Sequence, residues 1–187
     1  MGISKKRLTK DIGFIKSKRL TNNNLEKIKK IFMKDKKKYF IYWYLTPFIK
    51  FRSYSFQFSS NCLIQKGKGM GEKIWHLVKN QKKSFVLIGS DIPDINQDII
   101  SQSFWHLKSY DMVIGPTEDG GFWLIGFSKK KISYPFNSVR WSSSNTLKDL
   151  LKNLDKMSIN YKITTKLRDI DNKDDYCKNK NGLEINL

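Results

Sequence analysis

Alanine is missing from this chain of 187 residues, proline occurs four times and cysteine twice. The empty alanine column beside crowded Lys, Asn and Ile is the bias an AT-rich coding sequence produces, so lysine content reports composition before it reports a partner. Cys62 and Cys177 lie far apart and form neither a Cys-x-x-Cys nor a His/Cys metal spacing, which argues against a disulfide framework and against a linear zinc motif. The reading they favour is a pair of reduced thiols in a cytoplasmic protein. Long apolar runs are lacking too. The longest, Tyr39 to Ile49, is too short to span a bilayer and contains Pro47. The N-terminus, Met-Gly-Ile-Ser-Lys-Lys-Arg, has no apolar signal core, and Lys6 stands where a myristoylation motif wants Ser or Thr.

Acidic residues are also scarce, 17 against 36 Lys and Arg, for a formal net charge of +19. Such a surface draws polyanions by long-range attraction and counterion release. Arginine, however, is limited to Arg7, Arg19, Arg52, Arg140 and Arg168. Bidentate reading of bases favours arginine, so specific nucleic-acid recognition is disfavoured. Runs such as Lys36 to Lys38 and Lys129 to Lys131 read as solvated loops or helix faces.

What is present is enough apolar and aromatic material for one domain over residues 1–187. Apolar residues at helical spacing predict helices over 24–33, behind an Asn cluster that can cap, over the segment carrying Ile74, Leu77 and Val78, over 96–108, and over 145–157. Short β-branched or aromatic runs predict strands at 39–45, 61–65, 85–89, 111–115, 121–127 and 161–164, with a last short helix opening near Asp169. Residues 48–60 show no clear period. The alternation of strand and helix predicts an α/β fold with a mainly parallel sheet.

The run Phe-Val-Leu-Ile-Gly-Ser-Asp-Ile-Pro-Asp over 85–94 passes from an apolar strand directly into two carboxylates. In open α/β sheets ligands collect beyond the carboxyl ends of such strands, and a carboxylate there can hold a hard divalent cation together with phosphate oxygens. The alternative is that Asp91 and Asp94 cap the helix beginning near Asn96. Three further polar segments fall after strands or at helix starts: Gln65 to Lys73, Glu118 to Gly121 and Asp169 to Asp175.

In order and spacing these segments resemble the glycosyltransferase-A superfamily and, within it, the radical-SAM/selenodomain-associated transferase type 1 family. The motifs that carry the likeness are Gln65-Lys-Gly67-Lys-Gly69-Met-Gly71-Glu72, Gly89-Ser90-Asp91-Ile-Pro93-Asp94, Gly115-Pro-Thr-Glu-Asp119-Gly120-Gly121-Phe-Trp-Leu-Ile-Gly126 and Asp169-Ile-Asp171-Asn172. Trp141-Ser-Ser ahead of the last long helix adds to it, and the match runs from about Cys62 to Tyr176. The strand ends also resemble the molybdenum-cofactor and phospholactate guanylyltransferases. At the N-terminus, Gly2 to Leu8 resembles the family's phosphate loop, with Lys6 in place of Thr. The strand that precedes that loop in the family is not in this sequence, which implies either an upstream start or a degenerate copy.

The resemblance implies a three-layer, Rossmann-like nucleotide-diphospho-sugar transferase fold and transfer from a nucleotide or nucleotide-sugar donor to a small-molecule acceptor. It implies Mg or Mn between Asp91 and the Asp169/Asp171 pair, with Lys5 and Arg7 on phosphates. It further implies donor contacts by Gln65, Gly67, Gly69, Gly71, Glu72, Ser90, Pro93 and Asp94, and Asp119 facing the acceptor with Gly120 and Gly121. For each motif a plainer role stands beside the functional one: an exposed basic tail for Lys5 and Arg7, turn formation for the glycines, an ordinary turn residue for Asp119. His76 and His106 fall within helices without metal-like spacing and read as structural or surface residues. Nucleotidyl transfer with release of pyrophosphate is the nearest alternative activity. A non-catalytic binder of anionic surfaces, motivated by the charge and the aromatics between Tyr39 and Phe58, is a third.

Overall fold

A computed structural model of the chain describes residues 6–33, 39–45, 62–170 and 177. Two helices come first, α1 (Lys6–Ile12) and α2 (Phe14–Met33). Gly13, with φ +83°, separates them: its N–H donates to the Thr9 carbonyl at 3.0 Å, closing α1 with the left-handed residue that glycine adopts without strain. This differs from the sequence reading in two respects. Residues 6–8 are helical, not loop, and Leu8 is fully buried. The Asn22 to Asn24 cluster, expected to cap, lies in the middle of α2, where packing of Ile28 overrides the weak helix preference of asparagine.

Two short parallel strands follow, β1 (Trp43–Leu45) and β2 (Cys62–Ile64), paired in register. The unassigned stretch 48–60 lies outside the described residues. Then come α3 (Met70–Asn80), β3 (Phe85–Ile88), α4 (Gln97–His106), β4 (Met112–Pro116), β5 (Phe122–Phe127), α5 (Thr146–Lys156) and β6 (Tyr161–Ile163). Strands β3 to β6 form one sheet in the order β3-β5-β4-β6. Strand β5 is antiparallel to both neighbours and β4 is parallel to β6, so three of its four strands point the same way. Their carboxyl ends share one edge of the molecule.

Alternation along β4 divides the core. Met112 and Ile114 face α3 and α5, packing with Ile74, Ile125, Phe127, Leu150 and Leu154. Val113 faces the opposite layer with Ile28 of α2, Ile92 of the loop between β3 and α4, Ile100 of α4, Leu107 just after it and Leu124 of β5. All five residues of β4 are buried, as expected of a strand covered by helices on both faces. Full burial of one such side chain is worth roughly 1.5–3 kcal/mol.

Helix α5 shows how polar groups fix this packing. Its Asp149 takes the Arg140 guanidinium through both carboxylate oxygens, each at 2.8 Å, and Asn153 donates to the carbonyls of Pro135 and Asn137. Hydrogen bonding to Arg140 holds the Asp149 pKa at about 2. A depressed carboxylate pKa contributes stability that is complete above the ordinary value of 3.8 and is lost as pH falls toward about 2. Asp149→Asn is therefore expected to lower the melting temperature at neutral pH, with the gap to the parent chain closing between about pH 4 and about pH 2. A gap of constant size across that window, measured by thermal denaturation, would contradict the assignment.

Candidate functional site

Backbone geometry joins the ends of the strands. The Ile170 N–H donates to the Asp91 carbonyl at 3.3 Å, the Leu167 N–H donates to the Pro116 carbonyl at 3.0 Å, and Thr117 bridges Leu167 in parallel fashion. The loop after β3, the end of β4 and the segment after β6 thus meet, and Asp169 comes to the backbone beside Asp91. Asp171 lies outside the described residues. Gly89 makes room for the Asp91 carboxylate, since a Cβ at 89 would stand 2.8 Å from Asp91 Oδ1. Among the described residues no group of three His, Cys, Asp or Glu is gathered as metal ligands. Asp91 and Asp169 are brought to one edge through their backbones, and carboxylate oxygens are the hard donors that Mg or Mn takes.

The loop between β3 and α4 decides the capping question raised by the sequence. Asn96, not Asp91 or Asp94, caps α4: its Oδ1 accepts from the Ile99 N–H at 3.0 Å. Ser90 and Asp94 are exposed, and Pro93 is half-buried, its carbonyl accepting from Lys27 of α2.

In the glycine-rich turn the residues separate by duty. Gln65 extends the pairing of β2 with β1: its N–H donates to Leu45 O at 2.8 Å and its Nε2 to Tyr44 O at 3.0 Å. Gly67 has φ +123°, and Glu72 accepts from the Lys68 N–H at 2.7 Å, fixing the turn. Gly71 is buried under Tyr134, Phe136 and Trp141, where a Cβ would come 2.8 Å from Phe136 Cβ. Burial, reinforced by the charge of Glu72, raises the Tyr134 pKa. Gly69, the N-cap of α3, is the glycine of this turn at which a Cβ would meet nothing within 4 Å. Tyr44 ties this turn to β1 by donating to the Lys73 carbonyl at 2.7 Å, and burial raises its pKa.

The β4–β5 turn is equally well determined. Asp119 Oδ1 accepts from Thr117 Oγ1 at 2.5 Å and from the Gly121 N–H at 3.0 Å, a side-chain-closed turn. Gly120, with φ +87°, abuts the start of α5: the Leu147 N–H donates to its carbonyl at 2.9 Å, and any Cβ there would collide with the Ser144 carbonyl. A group not singled out for the site by its motif, Arg168, sits beside Asp169 and is held by Glu118 through Nε at 2.9 Å and Nη2 at 3.1 Å. Its position next to the terminal Asp-x-Asp was the available signal. Lys5 lies outside the described residues; the backbone of Arg7 lies in α1, and its side chain is outside them.

These features define the class first: the α/β architecture is a GT-A-like fold. The structure of a Desulfovibrio desulfuricans G20 protein, provisionally described as a nucleotide-diphospho-sugar transferase, superposes with a TM-score of 0.79 at 21% sequence identity, covering 91% of this chain and 77% of that one. Residues 45–143 match the model of a family described as uncharacterized proteins conserved in bacteria, DUF2064, and the chain belongs to that family. No curated protein gives a match. Among the described residues no helix is long and apolar enough to cross a membrane.

Proposed function

We propose that the chain is a metal-dependent transferase acting on a nucleotide-activated donor, with glycosyl transfer from a sugar nucleotide to a small-molecule acceptor as its reaction, and that its relatives include the radical-SAM/selenodomain-associated transferases. The observation that supports this reading is the Ile170-to-Asp91 backbone bond, which joins the Asp169 segment to the Asp91 loop at the carboxyl edge of the sheet. Ligands of open α/β sheets bind at that edge. Asp91 and Asp169, with Asp171, would hold Mg or Mn, which supplies charge neutralisation of the diphosphate. Lys5, Arg7 and the backbone at Gly69 would receive the phosphates, and Ser90, Pro93 and Asp94 would border the donor. Gln65, Gly67, Gly71 and Glu72 act one step away, by fixing the turn. Asp119, already committed through Oδ1 to its own turn, presents its remaining oxygen to the acceptor.

Product analysis with sugar nucleotides and nucleoside triphosphates tests the reaction. Free nucleoside diphosphate from a sugar nucleotide is the expected product. Pyrophosphate from a triphosphate would instead identify a nucleotidyltransferase related to the guanylyltransferases.

The charge of +19 supports no specific nucleic-acid function. Binding to oligonucleotides or anionic vesicles is expected to be weak, indifferent to sequence and lost between low and physiological salt, because exposed, scattered lysines are screened beyond about 8 Å at 0.15 M. Sequence-selective binding that survives high salt would overturn this and favour the binding-protein alternative.

A further inference from the structure

The exposed face of α5 carries a feature that the transferase reading does not use. A groove of about 660 Å³ runs from Gly120 and Ser144 along the helix, lined by Leu147, Leu151, Lys148, Lys152 and Lys156 among others. The lysines recur at i, i+4 and i+8, which stacks them in one row along the helix, about 6 Å from one to the next. Asp149 is occupied by Arg140 and lies within electrostatic reach of Lys152, and the lysine row makes no salt bridge among the described residues. The acid that lines the groove, Asp155, accepts from the Tyr161 hydroxyl at 3.0 Å. Leu147 and Leu151 are half-buried and give the groove an apolar wall.

The groove is also mechanically joined to the candidate site. The Leu147 N–H bonds to the Gly120 carbonyl, and Gly120 follows Asp119 directly, so the lysine row starts where the acceptor end of the site stops. We propose that this groove is an acceptor subsite, and that it takes a small anionic acceptor with an aliphatic portion, its phosphate or carboxylate on Lys148, Lys152 and Lys156 and its apolar part along Leu147 and Leu151. The acceptor role rests on the transferase reading above; the binding of an anionic amphiphile does not.

Octyl phosphate, kept below its micelle concentration, is the probe, titrated against the full chain and followed by NMR shift perturbation. The parent protein should bind it in this groove, and the triple variant Lys148→Gln, Lys152→Gln, Lys156→Gln should bind at least tenfold more weakly. A charge-matched control, Lys79→Gln, Lys129→Gln, Lys131→Gln, should keep the parent affinity, and octyltrimethylammonium should not bind. Equal loss in both triple variants would reduce the effect to net charge and overturn the proposal. So would absence of octyl phosphate binding, or retention only of anionic vesicles by the lysine row, which would make the face a membrane contact. Nucleotide binding, measured on the same variants, keeps the two readings apart. Donor binding without octyl phosphate binding defeats the groove alone, whereas octyl phosphate binding without any donor defeats the transferase alone.

Discussion

Asp91→Asn should erase the stabilisation that a nucleotide donor and Mg or Mn together give the folded chain. A ligand bound only by the native state and present at about 100 times its Kd stabilises by roughly 2.7 kcal/mol, which for a chain of this length raises the melting temperature by roughly 5–10 °C. Asparagine keeps the shape and the backbone bond to Ile170 but removes the charge that, on the proposed reading, would hold the metal. Relative to the variant's own melting temperature without ligand, its response to donor plus metal should fall to near zero. A screen of nucleoside diphosphates, triphosphates and sugar nucleotides by thermal shift, with and without metal, measures this directly. An undiminished shift in the variant would remove Asp91 from the site, and no metal-dependent shift with any nucleotide in the parent would defeat the enzymatic reading.

The largest stability effect is expected at Gly120. Alanine there must adopt φ +87°, at a cost of roughly 1–2 kcal/mol, and must also displace the Ser144 carbonyl, a backbone atom that cannot rotate aside. Forcing extra volume into packed structure adds about 1–3 kcal/mol. Gly120→Ala is therefore expected to lower the melting temperature by roughly 5–15 °C. Gly69→Ala, where a Cβ meets nothing within 4 Å, should cost far less. Thermal denaturation of the two variants side by side checks the contrast, and equal melting would show that the turn can move away from α5.

Elements with one dominant signal were legible in the sequence. The strand read over 111–115 is β4 (Met112–Pro116), and the helix read over 96–108 is α4 (Gln97–His106) with Asn96 as its cap. The N-terminal helices were not legible to the same degree. Gly13 is a true break, closing α1, but the three consecutive asparagines are not, and tertiary packing around Ile28 carries α2 through them. In the candidate site, the motifs pointed to the Asp91 and Asp169 segments, which the structure joins by a backbone bond, but not to the division of labour within the motifs. A glycine admitted for a ligand and one admitted for Phe136 are the same letter, so the structural task of Gly71 emerges only once residues 134–141 are seen to pack over it. The same holds for Gln65 and Glu72, whose side chains bond to backbone of their own neighbourhood.

The antiparallel placement of β5 bears on how the chain is made. Strand β3 pairs with β5, which lies roughly 40 residues further along, and with no other strand among the described residues. At a synthesis rate of about 5–20 residues per second, Phe85-Val-Leu-Ile88 emerges on the order of 2–8 s before its partner exists. During that interval it is a short, uncharged, β-forming segment of the kind that associates with copies of itself. Lys82 and Lys83 stand immediately before it, where charge opposes such association. The two lysines thus protect the nascent chain at a stage when the sheet that will bury β3 has not yet been translated.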